Sequence, residues 1–209
     1  MISYSQSKAI QLEITRRCPL ECPKCSRQKD KGKYTSNVDM SLEFIENFLK
    51  NNSYEYVHLC GKLGDPIYHP DALNFVKICK KYSKKLRLNT NGSGKKISWW
   101  QEYFNSISDK DETVFGIDGL EDTSSQYRIN QDWKSSFDAL KLGAKLGKTV
   151  IWQWIPFSFN EHQIDEARAL AKRYNIPFML LKSSRWQNND SLQPTNPNLY
   201  VDYFKNYDI

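Results

Sequence analysis

The sequence predicts an α/β protein in which helices cover a parallel β-sheet. Short apolar and β-branched runs alternate with longer segments of helical periodicity, and the alternation repeats six times. Successive predicted strands begin 27 to 47 residues apart, which leaves room for a helix in each connection. Because such crossovers are right-handed, six units predict either a doubly wound open sheet or a curved partial barrel. A closed eight-unit barrel takes about 250 residues, more than the 209 of this chain.

The predicted elements are apolar runs bounded by polar and turn residues. The strands are 9–14, 56–60, 86–89, 113–117, 149–154 and 177–181. The helices between them are 41–50, 71–82, 98–106, 132–146 and 161–174. Ser41 and Asn160 stand at the starts of the first and last helices, where their short polar side chains suit N-caps. In both candidate architectures ligands bind at the carboxyl ends of the strands, so residues just after strands are the candidate site.

Composition indicates a single domain with one substantial core. Aromatic residues make up 13% of the chain although its mean hydropathy is −0.69, which excludes wholesale disorder. No segment has the roughly 18 apolar residues that cross a bilayer, and the first eight residues are too polar for a signal peptide. We therefore expect a cytoplasmic protein without membrane contact.

The net charge of +6 is concentrated in two segments. Residues 16–33 carry a net charge of +5, and residues 77–96 carry +8 with no acidic residue, so the remainder is acidic. A run of cations is either a solvated surface or a site for an anionic partner such as nucleic acid, and the second segment is open to both interpretations. The first segment surrounds three cysteines, and positive charge near a thiol lowers its pKa.

Those cysteines, Cys18, Cys22 and Cys25, follow the first predicted strand with the spacing C-x3-C-x2-C. Five cysteines are too few and too unevenly placed for a disulfide scaffold in a chain of this length, so we expect reduced thiols. Three thiolates on one loop can bind one centre, and soft sulfur ligands select zinc or an iron–sulfur cluster. The chain has no second cysteine pair, so the fourth coordination position is either completed from elsewhere or open to a ligand.

The motif and its place after the first strand resemble the radical S-adenosylmethionine (SAM) superfamily, over residues 9–181. The resemblance implies a partial (β/α)6 TIM-like barrel, with residues 1–182 as the radical SAM core domain and 183–209 as a C-terminal tail that packs on the barrel or closes it. It implies that Cys18, Cys22 and Cys25 ligate a [4Fe-4S] cluster whose fourth iron is chelated by SAM. An electron from a donor such as flavodoxin or ferredoxin would cleave SAM to methionine and a 5'-deoxyadenosyl radical, which abstracts hydrogen from a substrate.

Two segments after the second and third strands match SAM-binding motifs of that family. Gly64-Asp65-Pro66 resembles its Gly-Glu-Pro segment, which contacts the amino group of SAM; an ammonium group needs hydrogen-bond acceptors. Asn91 lies in a Thr-Asn-Gly sequence similar to the family's signature near the cofactor. Asp65 departs from the pattern by being one methylene shorter than glutamate.

Later segments continue the resemblance. Asp118 belongs to a Gly-Ile-Asp-Gly sequence similar to the family's Ser-x-Asp-Gly segment, with Gly116 in place of the serine. Arg128 stands where the family has a carboxylate-binding arginine, and Gln153 and Asn160 are candidates for adenosine contacts. Lys24 occupies the position where an aromatic residue commonly packs on adenine, so its backbone is the part expected to contact the cofactor.

The main alternative is a non-enzymatic, zinc-stabilised module that binds nucleic acid through the basic segments. There the three cysteines would form a zinc site completed by His58, His69 or Cys60. Under the enzyme interpretation the substrate stays open among a peptide side chain, a nucleotide or RNA, and a small molecule. Peptide-modifying members usually carry further cysteines for auxiliary clusters, and this chain has none after Cys79.

Overall fold

The computed structural model describes residues 8–29, 37–183, 185, 186, 190–196, 198 and 199. Its centre is a six-stranded sheet in which every neighbouring pair of strands is parallel. The strands are β1 (Ala9–Leu12), β2 (Tyr56–Leu59), β3 (Lys85–Thr90), β4 (Glu112–Gly116), β5 (Thr149–Trp154) and β6 (Phe178–Leu180). Each overlaps a predicted strand, with boundaries that differ by up to two residues.

Within the described ranges, seven α-helices accompany the strands. They are α1 (Ser26–Lys29), α2 (Leu42–Asn51), α3 (Ala72–Tyr82), α4 (Ile97–Ser106), α5 (Ser124–Tyr127), α6 (Trp133–Lys145) and α7 (Ile164–Arg173). Two 3-10 turns cover Pro66–Tyr68 and Glu161–Gln163. The five long helices match the predicted ones, except that the last predicted helix begins with the second 3-10 turn. The four-residue helices α1 and α5 are too short to show a helical period and were not predicted.

The strand order decides between the two candidate architectures. The strands follow one another across the sheet in chain order, from β1 to β6. A doubly wound sheet reverses its strand order partway, whereas right-handed crossovers in unbroken order place every helix on the same face of the sheet. Among the described residues no ladder joins β6 back to β1. The predicted partial (β/α)6 barrel is therefore confirmed.

Alternation along the strands separates a packed face from a polar one. Leu59 pairs in register with Leu88, and Phe115 with Trp152, and all four side chains are buried beneath the helices. Burying each such side chain contributes about 1.5–3 kcal/mol. Residues at the intervening positions point to the concave face, and several of them are polar: His58, Arg87, Asn89 and Gln153. The concave face is thus available for a binding site.

The two predicted caps differ in outcome. Ser41 caps α2, where its hydroxyl accepts a hydrogen bond from the Phe44 amide at 3.1 Å. Asn160 stands at the N-cap position of the second 3-10 turn, as predicted, but its fully buried side chain makes no capping bond. Its amide group instead accepts from the Phe157 N–H at 2.7 Å and donates to the carbonyl of Asp118 at 3.1 Å. The residue therefore ties the loop after β4 to the loop after β5.

Part of the C-terminal segment packs on the barrel. The Ser158 amide donates to the Leu192 carbonyl at 3.2 Å, and the Thr195 hydroxyl donates to the Glu161 carboxylate at 2.8 Å. The proposed boundary between a core of 1–182 and a tail of 183–209 stays a prediction, and residues 200–209 lie outside the described part of the chain. No helix in the described ranges is long and apolar enough to cross a membrane.

Candidate functional site

The three cysteines of the motif line one cavity of about 330 Å³ on the concave side of the barrel. They belong to the loop after β1, where the Cys25 amide donates to the Cys22 carbonyl at 2.9 Å and α1 begins directly after Cys25. A Cβ at Gly64 would overlap the carbonyl oxygen of Thr15, so only glycine allows the turn after β2 to pack this closely against the β1 loop. The thiols and the post-strand segments therefore share one site.

Burial, rather than neighbouring cations, controls the acidity of two of these thiols. Burial, with a smaller contribution from Asp65, raises the pKa of Cys18 to about 12. The pKa of Cys22 is also raised by burial, although Arg128 and Arg185 act against the shift. Neighbouring cations thus lower the pKa of these thiols as expected, but burial outweighs them and the net pKa of both is raised. Burial therefore favours the protonated form of both thiols.

The carboxylate of Asp65 connects the β2 loop to the β3 loop. It is buried and accepts hydrogen bonds from the Asn91 amide and side chain, both at 2.6 Å, from the Thr90 hydroxyl at 2.9 Å and from the Ile67 amide at 3.2 Å. Burial raises its pKa to about 6 in spite of these donors. The shorter side chain thus reaches protein donors, and its oxygens are used in orienting Asn91.

Asn91 connects Asp65 to the loop that carries the three cysteines. Its side-chain amide lies 3.7 Å from the Cys18 sulfur, which is within reach of a weak N–H to sulfur hydrogen bond. The Asn91 carbonyl accepts from Gln131 at 3.1 Å and from the Ser136 hydroxyl at 3.0 Å. The residue is therefore bound on both its main chain and its side chain, and it holds a fixed position beside the first cysteine.

A buried ion pair takes the place of the serine that the family has at position 116. The Arg128 Nε donates to Asp118 at 2.7 Å, and the two side chains are 15% and 0% exposed. A Cβ on Gly116 would lie 2.6 Å from Arg128 Nη2, so the guanidinium occupies the space of a side chain at that position. Burial would lower the pKa of Arg128, but the Asp118 charge raises it, so the arginine stays cationic in the cavity.

The remaining predicted cofactor contacts divide into two groups. Five of the eight predicted residues line the cavity: Gly64, Asp65, Asn91, Arg128 and Gln153. The other three are not among the lining residues. Pro66 starts a buried 3-10 turn, Asp118 acts through Arg128, and the Lys24 ammonium pairs with Asp190 at 2.6 Å, away from the lining. Their contacts with a cofactor stay predictions.

Four cations of the lining had not been singled out from the sequence: Arg27, Lys62, Lys182 and Arg185. Arg27 follows the third cysteine by two residues, and its guanidinium donates to the Cys18 carbonyl at 2.7 Å. Lys182 and Arg185 come directly after β6, so their post-strand position was the available signal. Cys60 also lines the cavity, where burial raises its pKa to about 11.

The two histidines considered as zinc ligands are engaged elsewhere. His69 is buried, with Nε2 at 2.9 Å from the Met40 carbonyl and Nδ1 accepting from the Asp71 amide at 3.0 Å. His58 Nε2 lies 3.0 Å from Asn89. Within the described ranges no three or more His, Cys, Asp or Glu side chains are placed to hold a single metal ion. Both histidines therefore use ring nitrogens in hydrogen bonds within the protein.

The basic segment 77–96 is largely neutralised by carboxylates. Six of its eight cations form ion pairs, of which Lys80–Asp111 at 2.8 Å is the most buried. Lys95 lies over the rings of Tyr68 and Trp99. A cation that pairs with a carboxylate must exchange that partner before it can neutralise a phosphate. The structure therefore favours the solvated-surface interpretation of this segment.

Comparison with known proteins identifies the fold class. No protein-family model matches the chain. A curated relative, the tungsten-containing aldehyde ferredoxin oxidoreductase cofactor-modifying protein of Pyrococcus furiosus, is 30% identical over 87 residues, or 41% of this chain and 24% of the relative. SuiB of Streptococcus suis bound to S-adenosylmethionine superposes with a TM-score of 0.68 at 16% identity, over 91% of this chain and 44% of that chain.

A second solved structure, anSMEcpe with bound AdoMet and the Cp18Cys peptide, gives a TM-score of 0.62 at 16% identity, over 83% of this chain and 49% of that chain. These neighbours are radical SAM enzymes. The chain therefore has the fold of the radical SAM enzymes, as its resemblance implied. It spans about half the length of the solved neighbours and a quarter of the curated relative.

Proposed function

We propose that this protein is a radical SAM enzyme in which Cys18, Cys22 and Cys25 ligate a [4Fe-4S] cluster and the adjoining cavity binds SAM. The observation that carries the proposal is the meeting of three thiols from one loop with Asn91 and Arg128 in a single cavity. Thiolates are the ligands of iron–sulfur clusters, and three of them leave one position for a further ligand. The donor set and the polar lining fit both groups.

When bound, the cluster and SAM would supply one-electron cleavage of SAM and a 5'-deoxyadenosyl radical that takes hydrogen from the substrate. The chain's own residues bind, orient and exclude water. Arg128 offers a permanent cation for a carboxylate, held by Asp118. Asn91 is fixed beside Cys18 through Asp65. The backbone of the turn at Gly64 and the side chain of Gln153 offer polar contacts to the rest of SAM.

The substrate class that the comparisons support is a peptide. SuiB has been solved bound to precursor peptide SuiA, and anSMEcpe bound to the Cp18Cys peptide. The pairing of the basic segment 77–96 with carboxylates gives less support to RNA. A small reduced protein such as flavodoxin or ferredoxin would supply the electron, and a cytoplasmic location suits such a donor and reduced thiols.

The direct test is anaerobic reconstitution with iron and sulfide, followed by dithionite and SAM. We expect a brown protein with about four irons and four sulfides per chain and the formation of 5'-deoxyadenosine, measured by liquid chromatography. A colourless protein that holds one zinc and forms no 5'-deoxyadenosine would overturn the proposal. The Cys22→Ala variant separates the alternatives further, because it stays folded if the cluster is catalytic but unfolds if a structural zinc ion supplies folding energy.

A further inference from the structure

The cavity beside the cysteines carries more positive charge than SAM requires. Five cationic side chains line it: Arg27, Lys62, Arg128, Lys182 and Arg185. The opposing groups in the lining are the Asp65 carboxylate and the three cysteines that become thiolates when they ligate a cluster. Under the proposed function, on which this inference rests, SAM brings a single carboxylate, and Arg128 with its Asp118 partner is the cation placed for it. The excess charge lies in a partly enclosed space, where it is screened less than on an open surface.

Arg185 is the cation best placed to bind a second anion. It lines the cavity, and no ion pair joins its guanidinium to a carboxylate of the described residues. Cys22, Cys60 and Tyr127, which belong to the loops after β1 and β2 and to α5, line the same cavity. Arg185 therefore shares one space with residues from three other parts of the site.

Contacts within the C-terminal segment hold Arg185 in this place. Its backbone amide donates to the Ser183 hydroxyl at 3.2 Å, just after β6. Five residues later, Asp190 pairs with Lys24 at 2.6 Å, and the Asp190 carboxylate is only 3% exposed. Lys24 is the residue before the third cysteine. Arg185 is thus held at its own backbone amide, and Asp190 beyond it is held against the cysteine loop.

We propose that Arg185 binds a carboxylate of the substrate, so that the enzyme acts on a peptide segment with an acidic side chain near the reacting residue. A guanidinium is planar and binds a carboxylate through two parallel hydrogen bonds. In a partly enclosed cavity one guanidinium fits one such carboxylate, whereas nucleic acid gains affinity from a row of cations along its backbone. In the basic segment 77–96 most cations are already paired.

The test is selection of binders from a randomised peptide display library on the anaerobically reconstituted protein with SAM. We expect wild type to enrich Asp and Glu at one position of the selected peptides. Arg185→Gln should lose this enrichment and bind a selected acidic peptide about tenfold more weakly, as expected for a lost charge-assisted pair. Arg185→Lys should keep the acidic preference, and Arg185→Glu should change it to Lys and Arg. Arg173→Gln, on the far end of α7, is the matched control and should select as wild type does.

Peptides without acidic enrichment, no selected peptides, or the same acidic enrichment from Arg185→Gln would each overturn the inference. So would displacement of the selected peptide by an oligonucleotide that binds more tightly through Arg185. Circular dichroism of each variant shows that it is folded. Binding does not depend on SAM cleavage, so a protein that selects acidic peptides but forms no 5'-deoxyadenosine would overturn the proposed function and leave this inference standing.

Discussion

Asp65 offers a test of how burial and hydrogen bonding compete at the site. Its ionised carboxylate receives donors from Asn91, Thr90 and Ile67, yet its pKa is raised from 3.8 to about 6 by burial. Ionisation therefore weakens the folded state. The protonated Asp65 carboxyl makes its full contribution to the free energy of unfolding below pH 3.8. That contribution is lost as pH rises through about 6. Asp65→Asn carries no ionisable group and lacks this dependence.

The size of the effect follows from the two pKa values. A pKa of about 6 in the folded protein against 3.8 in the unfolded chain corresponds to a loss of about 3 kcal/mol over the whole titration. About 1.4 kcal/mol of that loss falls between about pH 5 and about pH 7.5, by the same linkage relation. The free energy of unfolding of wild type minus that of Asp65→Asn should fall by this amount across the interval.

The assay is urea unfolding of the metal-free, reduced protein, followed by tryptophan fluorescence at steps from about pH 5 to about pH 7.5. Other titrating groups, including His58 with its lowered pKa, change the free energy of unfolding of both proteins alike. Their effects therefore cancel when the value for Asp65→Asn is subtracted from that for wild type. Asp165→Asn is the control, because that carboxylate is 96% exposed and the corresponding difference should stay flat. A wild-type minus Asp65→Asn difference that is flat or rises with pH would refute the reasoning, since the donors would then outweigh burial.

Three further predictions concern the neighbouring contacts. Gly116→Ala should weaken SAM binding about tenfold or more, because the new Cβ displaces the Arg128 guanidinium from its charge-assisted contact with the SAM carboxylate. Equilibrium dialysis of the reconstituted protein measures the affinity for SAM. An unchanged affinity would contradict the prediction. Cys22→Ala should lose bound iron while keeping its circular dichroism spectrum, whereas Cys60→Ala should keep its iron; equal iron in both variants would argue against the assigned ligands. Asp111→Asn should lower the free energy of unfolding by about 3 kcal/mol, because its fully buried carboxylate accepts bonds from two backbone amides and pairs with a lysine; a change below about 1 kcal/mol in urea unfolding would show that the pair is replaceable.

Much of the fold could be predicted because its signals are local. Each strand and long helix has its own apolar period, and these periods do not depend on what packs against them. The two short helices and the fate of Asn160 could not be predicted in this way. Asn160 has the composition of a cap, but its surroundings in the folded chain offer better partners in Phe157 and Asp118. The competition between such partners is a property of tertiary packing.

The candidate site could also be predicted only in part from the sequence. The cysteine spacing and the post-strand position of Asn91 were readable because the carboxyl ends of parallel strands meet at one edge of the sheet. Arg128 was identified only through the family resemblance. The spacing could not reveal that Asp65 would be saturated by protein donors or that Arg128 would fill the space beside Gly116. Those outcomes depend on distances between residues far apart in the chain.

The sequence by itself determined which residue types are available and where they lie along the chain. These are the soft sulfur ligands in one loop, the polar motifs after the strands and the six strand–helix units. Only the tertiary structure decided where the charge acts. It pairs most of the cations in segment 77–96 with carboxylates on neighbouring elements, and it brings Arg185 into the cavity from beyond β6. Residue types and spacings belong to the sequence. The electrostatic field depends on which charges pair and on how deeply they are buried, and folding alone sets the pairing and the burial.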